Sequence, residues 1–211
     1  MWPVVVVIPD AGRQFQANLA EFVRVRGNRP YILVAPEVLS CGGSGSRTVE
    51  HYSYTSSEWA SLQGGDDFAF EDVGLGAVLA DVHRLWRGES KAFLTGWEAG
   101  GHTVWAQTLR HPERWCGVAP VTTNYQRRGV EATSISRGPE RASLPIQTFR
   151  CGAPTGDVAR AMTVIDQQVA RAISDARSHG FQPRPVIVVP RVDHGPLPDV
   201  VLAWCDSLRA H

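Results

Sequence analysis

Lysine is almost missing from these 211 residues: Lys91 stands alone among 21 cationic side chains, and the others are arginine. Nothing else in the chain calls for that bias, which reads as genome composition. Net charge is also lacking, with 21 cationic residues set against 21 anionic ones. No basic field is therefore available to hold nucleic acid or an anionic membrane. No apolar run approaches the roughly 18 residues needed to cross a bilayer. The opening Met1-Trp2-Pro3 followed by Val4–Ile8 lacks the basic segment and the length of a secretion signal. Cysteine is sparse: Cys41, Cys116, Cys151 and Cys205 form no CxxC pair, and no histidine sits at zinc-finger spacing. With no export signal, free thiols in a reducing cytoplasm are expected. Repeats, linkers and low-complexity tracts are absent too. What remains is ordinary globular composition, 43% hydrophobic and 20% charged, enough for the core of one domain.

Short β-branched runs alternate with helical periodicity, which predicts a mainly parallel sheet covered by helices on both faces, the α/β class. Val4–Ile8 reads as a central strand buried on both sides. A helix over about 14–26, a strand at Tyr31–Ala35 and an aperiodic Gly/Ser/aromatic segment over about 36–70 follow. Leu75, Val78, Leu79, Val82, Leu85 and Trp86 share a helical face. Further strands are expected at Lys91–Thr95, Trp115–Pro120, Pro145–Cys151 and Val186–Val189. Helices are expected at His102–Arg110, around Met162–Ala176 and over 198–209. Residues 121–142 read as an excursion or partial cap on a single domain spanning 1–211.

Three features fall at the carboxyl ends of predicted strands, where open α/β sheets keep their sites. Gly96-Trp97-Glu98-Ala99-Gly100-Gly101 lies between a strand and a helix, the setting of a G-x-S-x-G nucleophile elbow. Asp157 follows the strand ending at Cys151-Gly152, and His194 follows the last strand. Elbow, acid, then histidine is the α/β-hydrolase order. The phrase Phe93-Leu94-Thr95-Gly96-Trp97-Glu98-Ala99-Gly100-Gly101-His102, then Arg110-His111-Pro112-Glu113-Arg114-Trp115 and Val118-Ala119-Pro120, resembles polyhydroxybutyrate-depolymerase-like and feruloyl-esterase-like carboxylesterases. The resemblance runs from Val4 to the final helix.

That resemblance implies an α/β-hydrolase fold acting on a small carboxylic ester without cofactor or metal. It implies catalytic roles for Glu98, Asp157 and His194, with an oxyanion hole from the backbone of Ala99, Ala11 and Gly12. The sequence departs from the family twice: Glu98 replaces the serine, and Asp10-Ala11-Gly12 replaces the usual His-Gly. Because the chain starts at what is an inner strand in those families, the first edge strands are expected to be absent. The acid usually lies within about three residues of the strand's glycine, where Thr155 stands, so Asp157 requires a wider turn.

Glu98 has several readings. It is a carboxylate nucleophile, as an aspartate is in dehalogenases and epoxide hydrolases of this fold, or a base acting on water. Alternatively the chain is a non-catalytic pseudo-hydrolase or binding protein that keeps the pocket, or an active-site variant of a serine esterase. In each case the carboxylate can fill its own oxyanion hole and pair with His194. Trp97, Tyr52, Tyr54 and Trp59 are expected to line the pocket, ordinary loop packing being the alternative for the last three. Arg127, Arg128, Arg137 and Arg141 are expected on a solvated face, or else attract an anionic substrate. Asp166 reads as buried by its helical spacing.

Overall fold

A computed structural model describes residues 1–12, 14–40, 54–63, 67–152, 157–190 and 195–210. Among the described residues six strands form one sheet: β1 (Val4–Ile8), β2 (Ile32–Val34), β3 (Ala92–Glu98), β4 (Trp115–Thr123), β5 (Phe149–Cys151) and β6 (Ile187–Val189). Their order is β2-β1-β3-β4-β5-β6, and every described pair is parallel. Parallel neighbours need crossovers, supplied by α1 (Phe15–Arg26), α3 (Asp67–Trp86), α4 (Gly101–Arg110) and α6 (Asp157–Ser178), while α7 (Pro198–Arg209) closes the chain. Among the described residues there are also two short helices, α2 (Ser56–Gln63) and α5 (Glu140–Ser143), and a single 3-10 turn at Pro112–Arg114.

The sheet separates two apolar cores, and the alternation of β1 shows why. Val4, Val6 and Ile8 face α3, α4 and α6, together with Leu75, Leu79, Trp105 and Val169. Val5 and Val7 face the opposite way, towards Phe22 of α1 and Val201, Leu202 and Trp204 of α7. A strand buried on both faces must be apolar at every position, which is what Val4–Ile8 supplies.

The expected mainly parallel sheet with helices on both faces is thus observed. The differences are local. The aperiodic segment contains α2, and α3 begins at Asp67, eight residues before the first apolar position of its expected stripe. The buried stripe of α3 is Phe68, Glu71, Leu75, Leu79 and Val82; Leu85 and Trp86, in the last turn, are 55% and 67% exposed. β3 runs on through Gly96 and Trp97 to Glu98, so the expected turn tightens to Ala99-Gly100. Asp166 is not buried: its side chain is 39% exposed and held by the Arg150 guanidinium through bonds of 2.5 and 2.6 Å.

The chain places β2 on one side of β1 and then returns to place β3 on the other. Loops leaving β1 and β3 therefore diverge in opposite directions. In open parallel sheets a crevice opens at such a reversal, beyond the carboxyl ends of the strands. Asp10 and Glu98 stand at those two ends.

Candidate active site

Glu98 ends β3 with a left-handed backbone, φ 46°. A non-glycine residue there costs on the order of 1–3 kcal/mol and persists only where its surroundings dictate the conformation. Here three glycines dictate it. A Cβ at Gly100 would meet the Pro9 carbonyl oxygen at 2.3 Å, and one at Gly101 would meet Thr123 Cβ at 2.3 Å. At Gly96 it would meet Val104 Cγ2 at 2.8 Å. Their bare backbones let α4 press against the ends of β1 and β4. The corner is locked by the Gly100 N–H donating to the Trp97 carbonyl at 3.0 Å and the Asn124 N–H donating to the Glu98 carbonyl at 2.8 Å. The amino end of α4 has no side-chain cap, and its partial positive charge favours an anion at the corner.

Asp10 lies one residue past Pro9, against this turn. Burial raises its carboxyl above the usual range, and the negative charge of Glu98 raises it further. The Gly12 N–H and the Asn18 side chain act in the opposite direction, more weakly. Asp10 Oδ1 is buried without a hydrogen-bond partner. Asn18 is itself buried on α1; its Nδ2 donates to the Gln14 carbonyl, and its Oδ1 accepts from Trp97 Nε1, both at 3.0 Å. Trp97, expected to line the pocket, is thereby oriented by α1.

The other expected residues are placed unevenly. Ala99 is buried in the corner, and Ala11 and Gly12 form the turn after β1. Asp157 opens α6, but its side chain lies outside the described residues, as do His194 and Tyr52. Trp59 is 8% exposed and forms a small cluster with Leu39, flanked by Phe15, Leu62, Phe70 and Tyr54, whose ring meets Phe70 edge-on at 6.3 Å. Arg127 is committed to Asp175 through bonds of 2.6 and 2.7 Å, and Arg128 lies over the Phe68 ring at 5.9 Å. Among the described residues, no group of three or more His, Cys, Asp or Glu side chains is arranged to hold a metal ion.

Sequence reasoning missed two buried ionisable groups beside the corner. Glu71 is 2% exposed; its oxygens accept the Ser40 N–H and Oγ–H, each at 2.6 Å, and Ser40 Oγ also bonds Thr103 Oγ1 of α4. Burial pushes the Glu71 carboxyl up to about 7. The available signal was a glutamate on the apolar stripe of α3. His102, on the first turn of α4, is pushed down to about 4 by burial, with the Arg128 charge adding to the effect.

No protein-family model matches the sequence, and no curated protein matches it either. Solved structures do match. Esterase PE8 is 16% identical with a TM-score of 0.63, over 98% of this chain and 92% of its own. The Bacillus cereus carboxylesterase is 12% identical at TM-score 0.63, covering 98% and 89%. A Mesorhizobium loti carboxylesterase is 13% identical at TM-score 0.61, covering 97% and 88%. The fold is that of the α/β hydrolases. The β3–α4 corner and the loop after β1 lie at the carboxyl ends of the two strands where the sheet order reverses, the place where open α/β sheets keep their sites. Glu98, Asp10 and the Asn18–Trp97 pair stand at these strand ends. No described helix is long and apolar enough to cross a membrane.

Proposed function

We propose that this chain is an esterase-type hydrolase acting on a small carboxylic ester, with Glu98 at the nucleophile-elbow position. Asp157 and His194 are the acid and the histidine of the site, and the backbone N–H groups of Ala99, Ala11 and Gly12 receive the oxyanion. The observation carrying this reading is the left-handed Glu98 backbone at a strand–turn–helix corner built by Gly96, Gly100 and Gly101. A strained backbone at the tip of a crevice suits a side chain that must project towards substrate.

Two routes balance. Glu98 attacks the ester carbonyl carbon and the alkoxide leaves with a proton from His194; water then cleaves the mixed anhydride. Alternatively Glu98 removes a proton from water as the water oxygen attacks, and that proton later leaves with the alkoxide. In both, the carbonyl oxygen gains an electron pair that donors must hold. Burial and the Glu98 charge hold the Asp10 carboxyl above its usual range, and in its protonated form it would add one such donor, as a neutral carboxylic acid does in other oxyanion holes.

One observation favours a second reading, a binding protein without turnover. Asp10 and Glu98 together put two carboxyl groups where negative charge would develop, and an ionised pair opposes it. Steady-state hydrolysis of p-nitrophenyl acetate by the protein, Glu98→Ser and His194→Ala separates the two. Turnover abolished by both substitutions supports a working carboxylate. Background activity that rises by orders of magnitude in Glu98→Ser means that Glu98 blocks serine-type machinery, and the esterase reading of this chain falls. Weak turnover alone decides nothing, because a serine protease without its nucleophile keeps roughly 10³–10⁴ over water.

A further inference from the structure

The sheet ends at β6, and α6 does not cover that edge fully. A groove of about 510 Å³ remains between them. Its floor is apolar and regular. Ile165, Val169 and Ile173 recur every four residues along α6, and Val186 and Val188 alternate onto the same side of the edge strand. Val188 is 54% exposed, although its neighbours on α6 are buried.

The charges around this floor are not symmetric. At one end, near Thr122, the only carboxylate of the lining, Asp166, is neutralised by Arg150. At the other end stand Arg177, the next member of the α6 stripe, and Arg184, which leads into β6. Among the described residues Arg177 reaches the Pro183 carbonyl, at 3.4 Å, and that contact brings the two arginines to the same end. Neither has a carboxylate partner among the described residues. The groove thus has one doubly cationic end in a chain whose overall charge is zero. From Arg177 to Ile165 the helix spans about 18 Å at 1.5 Å per residue, the reach of an extended twelve-carbon chain.

We propose that this groove binds a free fatty acid of medium chain length, its carboxylate on Arg177 and Arg184 and its tail along Ile173, Val169 and Ile165. The chemistry matches at both ends: an apolar channel of ligand size with a few polar groups fixing orientation, and guanidinium forks shaped for a carboxylate. The site is separate from Glu98, so it stands or falls independently of the esterase reading. Were that reading correct, the ligand would be of the same class as the acid released from an ester.

Titration calorimetry with sodium dodecanoate below its micelle concentration tests the site. Saturable binding at one site is expected, with dodecanol and dodecyltrimethylammonium at least about tenfold weaker, a difference near 1.4 kcal/mol. The exposed pair of substitutions Arg177→Gln and Arg184→Gln should weaken dodecanoate by about tenfold or more, and Val188→Asp, at the half-exposed rim, should weaken it further. Equal affinity for the alcohol, or unchanged affinity in the arginine double variant, overturns the assignment. So does sedimentation showing that Val188→Asp converts a ligand-free dimer to monomer, since a second copy would then cover the groove.

Discussion

Replacing Glu71 by glutamine should change how stability depends on pH without changing shape. The buried carboxyl holds its proton up to about 7 in the folded chain, against an ordinary value of 4.5. Its contribution is therefore complete below 4.5 and is lost as pH rises through about 7. His102 works in the opposite sense, since its folded value, about 4, lies below the ordinary 6.5. Its stabilising contribution is present above 6.5 and is lost as pH falls towards 4. Linkage arithmetic from about pH 5 to about pH 8 gives a loss of about 2.5 kcal/mol from Glu71 and a gain of about 2 kcal/mol from His102. The two nearly cancel in the natural chain. Glu71→Gln keeps an acceptor for the Ser40 N–H and loses the titration, so its stability should climb by about 2 kcal/mol over the same interval. Urea unfolding at both pH values reads this as a midpoint shift of about 1 M between variant and parent. If both change alike to within about 1 kcal/mol, the carboxyl is not held protonated by burial and the reasoning fails.

Other expectations follow from single contacts. Gly100→Ala, whose new methyl would meet the Pro9 oxygen at 2.3 Å, should lose several kcal/mol or fail to fold. Gly74→Ala meets nothing within 4 Å on α3 and should gain about 0.5–1 kcal/mol; thermal melting of the two checks both. If the chain hydrolyses esters, Asp10→Asn, which keeps a hydrogen-bond donor, should retain most of kcat, whereas Asp10→Ala should lose about 10²-fold. Asp206→Ala removes the acceptor of the Tyr31 hydroxyl and of Arg29, each at 2.7 Å, and should cost about 1–3 kcal/mol by chemical denaturation. Cys116, pushed up to about 12 by burial, and the buried Cys151 and Cys205 should resist iodoacetamide at neutral pH, read by peptide mass mapping.

The framework was legible wherever a period was strong. Val4–Ile8 and the closing helix came through because burial on one or both faces imposes its own spacing on the residues. The start of α3 did not: Phe68 and Glu71 continue the stripe, but a glutamate at a buried position breaks a pattern read from apolar residues alone. The Glu98 corner was legible because its glycines are a steric demand written in sequence. Asp10 was legible only as a departure from the family's His-Gly, and the placement of Asn18 and Glu71 near the corner was not legible at all. Their significance comes from which strand ends and helices the topology brings together, and a parallel sheet joins residues that are distant in the chain.

The strain at the corner belongs to the backbone and not to the side chain that sits on it. Gly96, Gly100 and Gly101 fix the turn by what they lack, and the bonds that lock it run through main-chain atoms of Trp97, Glu98, Gly100 and Asn124. Position 98 is therefore a socket. The main-chain geometry of the corner should persist when Glu98 is exchanged for serine, cysteine or aspartate, because the contacts that set it do not pass through the side chain being exchanged.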